Sequence, residues 1–237
     1  MTAQALALDG VVKDYGDRRV LHGLDLNVQS GEVYALLGPN GAGKTTTLNL
    51  ILGFLQPDQG RIAVAGRPIG DDPLSARAAI AYLPETVMLY PELTAVENLR
   101  YFALLGDLRL TKTEARHALT QAGVPEEAQS RRTVGFSKGM RQKVGIAIAL
   151  ARRAALLLLD EPSSGLDPTA AEALSVAIRQ AAQSGLAVLM VTHDLPHART
   201  TADRVGMLAG GRLVFERATD TLDPGELEAS YAGHART

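Results

Sequence analysis

Nine consecutive residues, Gly38-Pro39-Asn40-Gly41-Ala42-Gly43-Lys44-Thr45-Thr46, have the spacing G-x-x-x-x-G-K-[ST], and their types suit the phosphates of a nucleotide. Gly38, Gly41 and Gly43 can take backbone angles closed to other residues, so the chain can approach phosphate oxygens closely. Pro39, Asn40 and Ala42 belong to the same loop. Its amides, with those opening the next helix, form a concave set of donors for an anion. Lys44 adds a full positive charge near the β- and γ-phosphates, Thr45 offers its hydroxyl to Mg²⁺, and Thr46 bonds a phosphate nearer the ribose. A glycine-rich turn followed by a chance Lys-Thr is the bland alternative. Against it stand the apolar run Val33–Leu37 just before and helically spaced Leu48, Ile51, Leu52 and Leu55 just after.

A second set of residues suits the other half of such a site. The apolar strand from Ala155 ends in Asp160-Glu161, and the strand Leu186–Val191 ends in Thr192-His193-Asp194. Ligands of open α/β sheets sit beyond the carboxyl ends of the strands, so Lys44, Asp160, Glu161 and His193 should converge. Asp160 is positioned to hold Mg²⁺ through water, and Glu161 to orient and deprotonate an attacking water. A positioned base is worth about 10²–10⁴ in rate. His193 could bond the γ-phosphate and sense its presence. Ser137-Lys138-Gly139 opens a helix running to about Ala151. Ser137 fits an N-cap, and a serine, a glycine and a helix start also receive a γ-phosphate, in a stretch made positive by Lys138, Arg141 and Lys143. Tyr15, one of few aromatics, offers a flat face for an adenine ring, or is an ordinary turn tyrosine.

These groups need a framework. Ala5–Val12 reads as a strand, Lys13–Asp17 as a turn, and Leu21–Val28 as a second strand turned by Ser30-Gly31-Glu32. Gln56–Gly60 reads as a loop and Arg61–Ala65 as an edge strand, with a further buried strand at Ala79–Leu83. Thr94–Leu105 and Thr113–Ala122 are helical in pattern, Thr94 and Glu97 forming a capping box. This helical stretch, about 88–145, interrupts the strand-rich pattern as an inserted lobe. Pro168–Ser184 follows as a helix, Val205–Leu208 and Arg212–Phe215 as a hairpin around Gly210-Gly211, and Glu226–Tyr231 as a short helix in the tail. Strands alternating with helices imply an open, mainly parallel α/β sheet.

Bulk properties exclude several classes. Of the 237 residues 46% are hydrophobic, enough for a packed core, yet no apolar run approaches the roughly 20 residues of a membrane span. Met1-Thr2-Ala3-Gln4 shows no basic region or long apolar segment, so no export signal is expected and the chain reads as cytoplasmic. A net charge of −2 gives no global attraction to nucleic acid. Without cysteine there are no disulfides and no cysteine-bound metals.

Taken together, Gly38–Thr46, Phe136–Gln142, Leu156–Glu161, Ser164-Gly165-Leu166-Asp167 and His193 resemble, in order, the Walker A, signature, Walker B, D-loop and switch histidine of ABC-type ATPases. The likeness runs from Tyr15, at the adenine-stacking position, to the late hairpin. It implies a P-loop NTPase (RecA-like) α/β core with an N-terminal antiparallel β subdomain and an inserted α-helical subdomain. It implies an ATPase domain over 1–219 with a short tail at 220–237. It also implies ATP and Mg²⁺ as cofactors, and two subunits head to tail around two ATP molecules. Ser137, Lys138 and Gly139 of one subunit, with Asp167, then complete the site that Lys44 and Asp160 build in the other. Each motif occurs once, so a homodimer suffices. The resemblance further implies an integral permease as membrane partner, which would put the ATPase on the inner face of the cell membrane.

Two segments depart from the family's usual wording. Leu-Ser-Gly-Gly-Gln becomes Phe136-Ser137-Lys138-Gly139-Met140, and the glutamine of the loop that reaches the membrane partner becomes Glu85, which can still reach Mg²⁺ or its waters. Both departures are similar to a branch of exporter-type ATPases that pair with separate membrane subunits. Within it, Tyr82–Thr94 and Phe136–Lys143 look most like the ATPase for nitrous-oxide-reductase copper-site maturation, which implies a periplasmic copper-maturation protein as a further partner. Drug-export and sodium-export ATPases share much of this wording. A soluble ABC protein acting on ribosomes or DNA is the rival reading, disfavoured by a single cassette and by the lack of room for a coiled coil between Lys44 and Ser137.

Overall fold

The computed structural model describes residues 3–70 and 73–234. Met1, Thr2 and Ala235–Thr237 lie outside the described residues, and with them the extreme ends of the expected ATPase domain and tail. The strands are β1 (Gln4–Tyr15), β2 (Arg18–Gln29), β3 (Val33–Leu37), β4 (Gln59–Val64), β5 (Arg67–Pro68), β6 (Ile80–Leu83), β7 (Leu156–Asp160), β8 (Ala187–Thr192), β9 (Arg204–Ala209) and β10 (Arg212–Ala218). Among them lie the helices α1 (Lys44–Ile51), α2 (Pro73–Ala78), α3 (Ala95–Leu104), α4 (Lys112–Gln121), α5 (Glu126–Gln129), α6 (Lys138–Ala151), α7 (Pro168–Gln183), α8 (Leu195–Thr201) and α9 (Pro224–His234).

Two sheets form. One is antiparallel, in the order β2-β1-β4-β5, and the other has six strands in the order β10-β9-β3-β8-β7-β6. In the second, β9, β3, β8, β7 and β6 run parallel and only β10 is antiparallel to its neighbour. The mainly parallel α/β sheet expected from alternating elements is therefore present, and so is the N-terminal antiparallel sheet.

The period of two along the buried strands divides the interior into two cores. Val33, Ala35 and Leu37 of β3, with Leu157 and Leu159 of β7, face a core built by α3, α4, α6 and α7. Tyr34 and Leu36, with Leu156 and Leu158, face a second core shared with β1, β2 and α1. Leu156–Leu159 are all essentially inaccessible to water, and each such side chain contributes about 1.5–3 kcal/mol relative to exposure. A strand buried on both faces is thereby fixed in register, which fixes where its last residue emerges.

Several boundaries differ from expectation. Lys13, Asp14 and Tyr15 belong to β1 rather than to a turn, because the ladder with β2 continues to Tyr15 opposite Arg18. Only Gly16 and Asp17 remain as the turn. The strand expected at an edge over Arg61–Ala65 is β4, which lies between β1 and the two-residue β5, and ends before Ala65 turns the chain in a left-handed conformation at φ 49°. The capping box at Thr94 and Glu97 forms, and Thr111 with Glu114 makes a second one at the start of α4.

Candidate functional site

Three parallel neighbours, β3, β8 and β7, end on the same side of the sheet, and the residues that follow them meet there. Leu37 leads through the glycine loop into α1, Asp160 closes β7 with Glu161 next, and Thr192 closes β8 with His193 next. A concavity of about 440 Å³ is lined by Asn40, Gly41, Gly43, Lys44, Thr45 and Thr46 together with Asp160 and Glu161, and also by Glu85. Arg18, Val20 and Val191 complete it.

The loop is shaped by its surroundings. A Cβ on Gly38 would sit 2.3 Å from the Leu208 carbonyl oxygen, so strand β9 leaves no room for a side chain. Gly41 at φ 80° meets no such crowding and is required for its angle alone. Gly43 caps α1 in a left-handed conformation. Lys44, only 8% exposed, donates from its ammonium to the carbonyls of Gly38 (2.5 Å) and Pro39 (3.1 Å) and is held within the curve of the loop. Buried Ala42 ties the loop to the β9–β10 hairpin, its carbonyl accepting from the amide of Gly211. Burial lowers the Lys44 pKa, opposed by the charges of Glu161 and Asp160.

Asp160 accepts a long bond from the Tyr82 hydroxyl at 3.4 Å, and burial, then the charge of Glu161, raises its pKa. A site that disfavours this carboxylate's charge gains from a cation placed beside it. Asp160 and the exposed first-turn residue Thr45 together offer a carboxylate and a hydroxyl, the hard oxygen donors Mg²⁺ takes alongside phosphate and water. The donor set therefore fits that ion.

Glu161 is a non-glycine residue at φ 45°. Its carboxylate is fixed by three donors: Thr192 Oγ1 at 2.9 Å and the His193 amide at 3.3 Å on Oε2, and His193 Nδ1 at 2.8 Å on Oε1. A carboxylate only accepts, so the proton of this bond sits on Nδ1.

The other expected residues are distributed around this centre. Glu85 accepts from Ser164 Oγ at 2.8 Å and lies 3.6 Å from Lys138 Nζ, both contacts falling on Oε1. The Ser164 bond, then the Lys138 charge, holds its carboxyl below the usual range. Ser137 caps α6 by accepting from the Met140 amide, and Gly139 is buried behind it. Neither lines the concavity that holds Lys44. Asp167 caps α7 by accepting from the Ala170 amide at 2.9 Å. Tyr15 is 47% exposed at the tip of β1, with Lys13 Nζ 5.9 Å from its ring centroid. Arg18 was not anticipated. Its only signal was its place just past the Gly16-Asp17 turn, three residues from Tyr15.

A family model described as ABC transporter matches residues 21–164. The chain belongs to the ABC transporter family. It is an ATP-binding subunit, an ATPase that hydrolyses ATP. It is 33% identical over 88% of its length to a linearmycin resistance ATP-binding protein of Bacillus subtilis, covering 68% of that protein. A daunorubicin resistance ATP-binding protein of Streptomyces coeruleorubidus is 36% identical over 94% of this chain and 71% of its own length. A Nod factor export ATP-binding protein of Burkholderia lata is 37% identical, over 92% and 72%. Among solved structures, an ATP-binding subunit of an ABC transporter superposes with a TM-score of 0.80 at 33% identity, covering 96% of this ABC ATPase and 99% of that chain. The dimeric MJ0796 cassette in a post-hydrolysis state with ADP and Pi superposes at 0.74 with 28% identity, over 90% and 98%. Among the described residues of the ABC ATPase no helix is long and apolar enough to cross a membrane.

Proposed function

We propose that this ABC ATPase binds two Mg-ATP between two identical copies and drives a separate membrane subunit of an exporter-type transporter. The observation that carries the reading is the single concavity in which the glycine loop, Asp160 and Glu161 meet. The loop amides and Lys44 hold the phosphates, and Thr45 and Asp160 hold Mg²⁺. When bound, Mg²⁺ neutralises charge on the β- and γ-phosphate oxygens. Glu161, aimed by Thr192 and His193, orients the attacking water and takes its proton, and His193 bonds the γ-phosphate. Arg18, with no ion pair among the described residues, adds a cation at the outer rim. Ser137 and Gly139 serve the site of the other copy. Support for the dimer comes from the MJ0796 cassette, whose solved form is dimeric.

An apolar groove of about 330 Å³ beside the segment that starts at Glu85 supports the membrane coupling. It is lined by Leu83, Val87, Met88, Phe102 and Leu105, with Met88 77% exposed. The relatives named for drug resistance and Nod factor export favour an exporter. Service to nitrous-oxide-reductase copper-site maturation rests on the wording of Tyr82–Thr94 and Phe136–Lys143 alone. A mild-detergent pull-down of the tagged protein from native membranes tests both levels. A multi-span partner is expected, and a periplasmic copper-maturation protein with it selects that cargo system. Ribosomal or DNA-associated partners without a membrane protein would overturn the transporter reading.

A further inference from the structure

The two places where this chain leaves the family's usual wording touch each other. Glu85 follows β6, and Lys138 is the first residue of α6. Lys138 Nζ lies 3.6 Å from Glu85 Oε1 and donates to the Ser164 carbonyl at 2.5 Å, while Ser164 Oγ donates to the same Glu85 oxygen at 2.8 Å. Gln142, one turn along α6, donates to the Glu85 carbonyl at 3.3 Å. Three segments far apart in sequence are thus tied at one point: the loop after β6, the start of α6, and the turn that follows Glu161.

We infer that Glu85 and Lys138 are a matched pair of positioning residues, the acid required by the lysine, which together set where the Ser137–Gly139 helix start stands relative to Asp160 and Glu161. This deepens the proposed function and rests on it for the consequence in turnover, though not for the pairing itself.

Magnitudes separate positioning from stability. The Glu85 side chain is 53% exposed and that of Lys138 24%, so the pair adds little to folding, as surface ion pairs generally do. What it controls is geometry. Without Lys138, the Glu85 carboxylate loses its cation in a concavity that already holds Asp160 and Glu161. Without the Glu85 charge, the ammonium keeps only a carbonyl and is free to swing toward the next strongest acceptor. Either loss displaces Ser137 and Gly139 from the place where a second subunit's γ-phosphate is to be received. Loss of both charges removes the conflict.

The test is a double-mutant cycle with the near-isosteric changes Glu85→Gln and Lys138→Met, in the full chain. Each single variant is expected to lower kcat roughly three- to tenfold with thermal midpoints close to wild type, and the double variant to return to within about twofold. Hydrogen exchange supplies a readout independent of turnover. Lys138→Met should speed exchange in residues 84–90, and Glu85→Gln in residues 138–142, with the double variant near wild type. Single effects that multiply in the double variant, or exchange that changes only beside each substitution, would overturn the pairing. Should the wild-type protein hydrolyse no ATP, the proposed function fails while hydrogen exchange still decides the pairing.

Discussion

Glu161 Oε1 and His193 Nδ1 stand 2.8 Å apart, joining the residue after β7 to the residue after the neighbouring β8. The parallel pairing of those strands sets this distance, since Asp160 lies opposite Val191 and Glu161 donates its amide to the Val191 carbonyl. The left-handed backbone at Glu161 then turns the carboxylate into the concavity instead of back to the core. A non-glycine residue in that conformation costs on the order of 1–3 kcal/mol, and here it aims the carboxylate proposed as the base.

Glu161→Gln keeps the size of the side chain and two of its acceptor contacts but removes the proposed base. Turnover should fall by about 10²–10⁴. Because binding groups are untouched, Mg-ATP should hold the variant as a dimer that the wild type forms only transiently. ATPase assays with light scattering check this, and a monomer under saturating Mg-ATP would count against the mechanism.

The convergence of Lys44, Asp160, Glu161 and His193 was legible because parallel strands and residues just past their ends leave one possible meeting place. What escaped was of two kinds. Short elements with little periodicity were missed, α8 among them, although Asp194 as N-cap and Pro196 near its start are recognisable signals. Contacts between segments 57 and 79 residues apart, as Glu85 makes with Gln142 and Ser164, carry no local signature at all. The strand character of Lys13–Tyr15 was hidden because Lys, Asp and Tyr beside a Gly-Asp pair read as a turn, whereas the ladder with β2 decides it.

Asp160 makes stability depend on pH in a definite direction. Its native pKa is raised, so the ionised form opposes folding at neutral pH. That penalty is complete above the native pKa and vanishes below the unfolded value of 3.8. Asp160→Asn should therefore raise the thermal midpoint at neutral pH by on the order of 1–3 °C, with the gain closing as pH falls below about 4. Adding Mg-ATP should reverse the order, because the wild type alone gains a full ligand for the ion. Thermal scans across pH, with and without Mg-ATP, measure both effects.

Two glycines of the phosphate loop should respond differently to alanine. Gly41 faces open space at φ 80°, so Gly41→Ala bears only the conformational cost, about 1 kcal/mol. Gly38→Ala drives a methyl group into the Leu208 carbonyl and must move β9 or the loop, costing about 1–3 kcal/mol. Denaturant melts should rank them in that order. Equal losses would mean that the contact with β9 does not constrain the loop.

Arg18 differs from its neighbour in what holds it. Arg19 is locked by two bonds to Asp14, at 2.8 and 3.0 Å, whereas Arg18 lines the concavity with Thr45 and Thr46 and has no ion pair among the described residues. We expect this guanidinium to contact the nucleotide alike in the ground state and the transition state, since the bonds that aim Glu161 come from Thr192 and His193 and none from Arg18. Uniform binding of that kind lowers KM without raising kcat. Arg18→Ala should therefore raise KM for ATP roughly three- to tenfold at low salt with kcat unchanged, and the difference should shrink as salt screens the exposed charge. Steady-state kinetics at two ionic strengths decide the matter: a fall in kcat at constant KM would move Arg18 from the rim of the site to its chemistry.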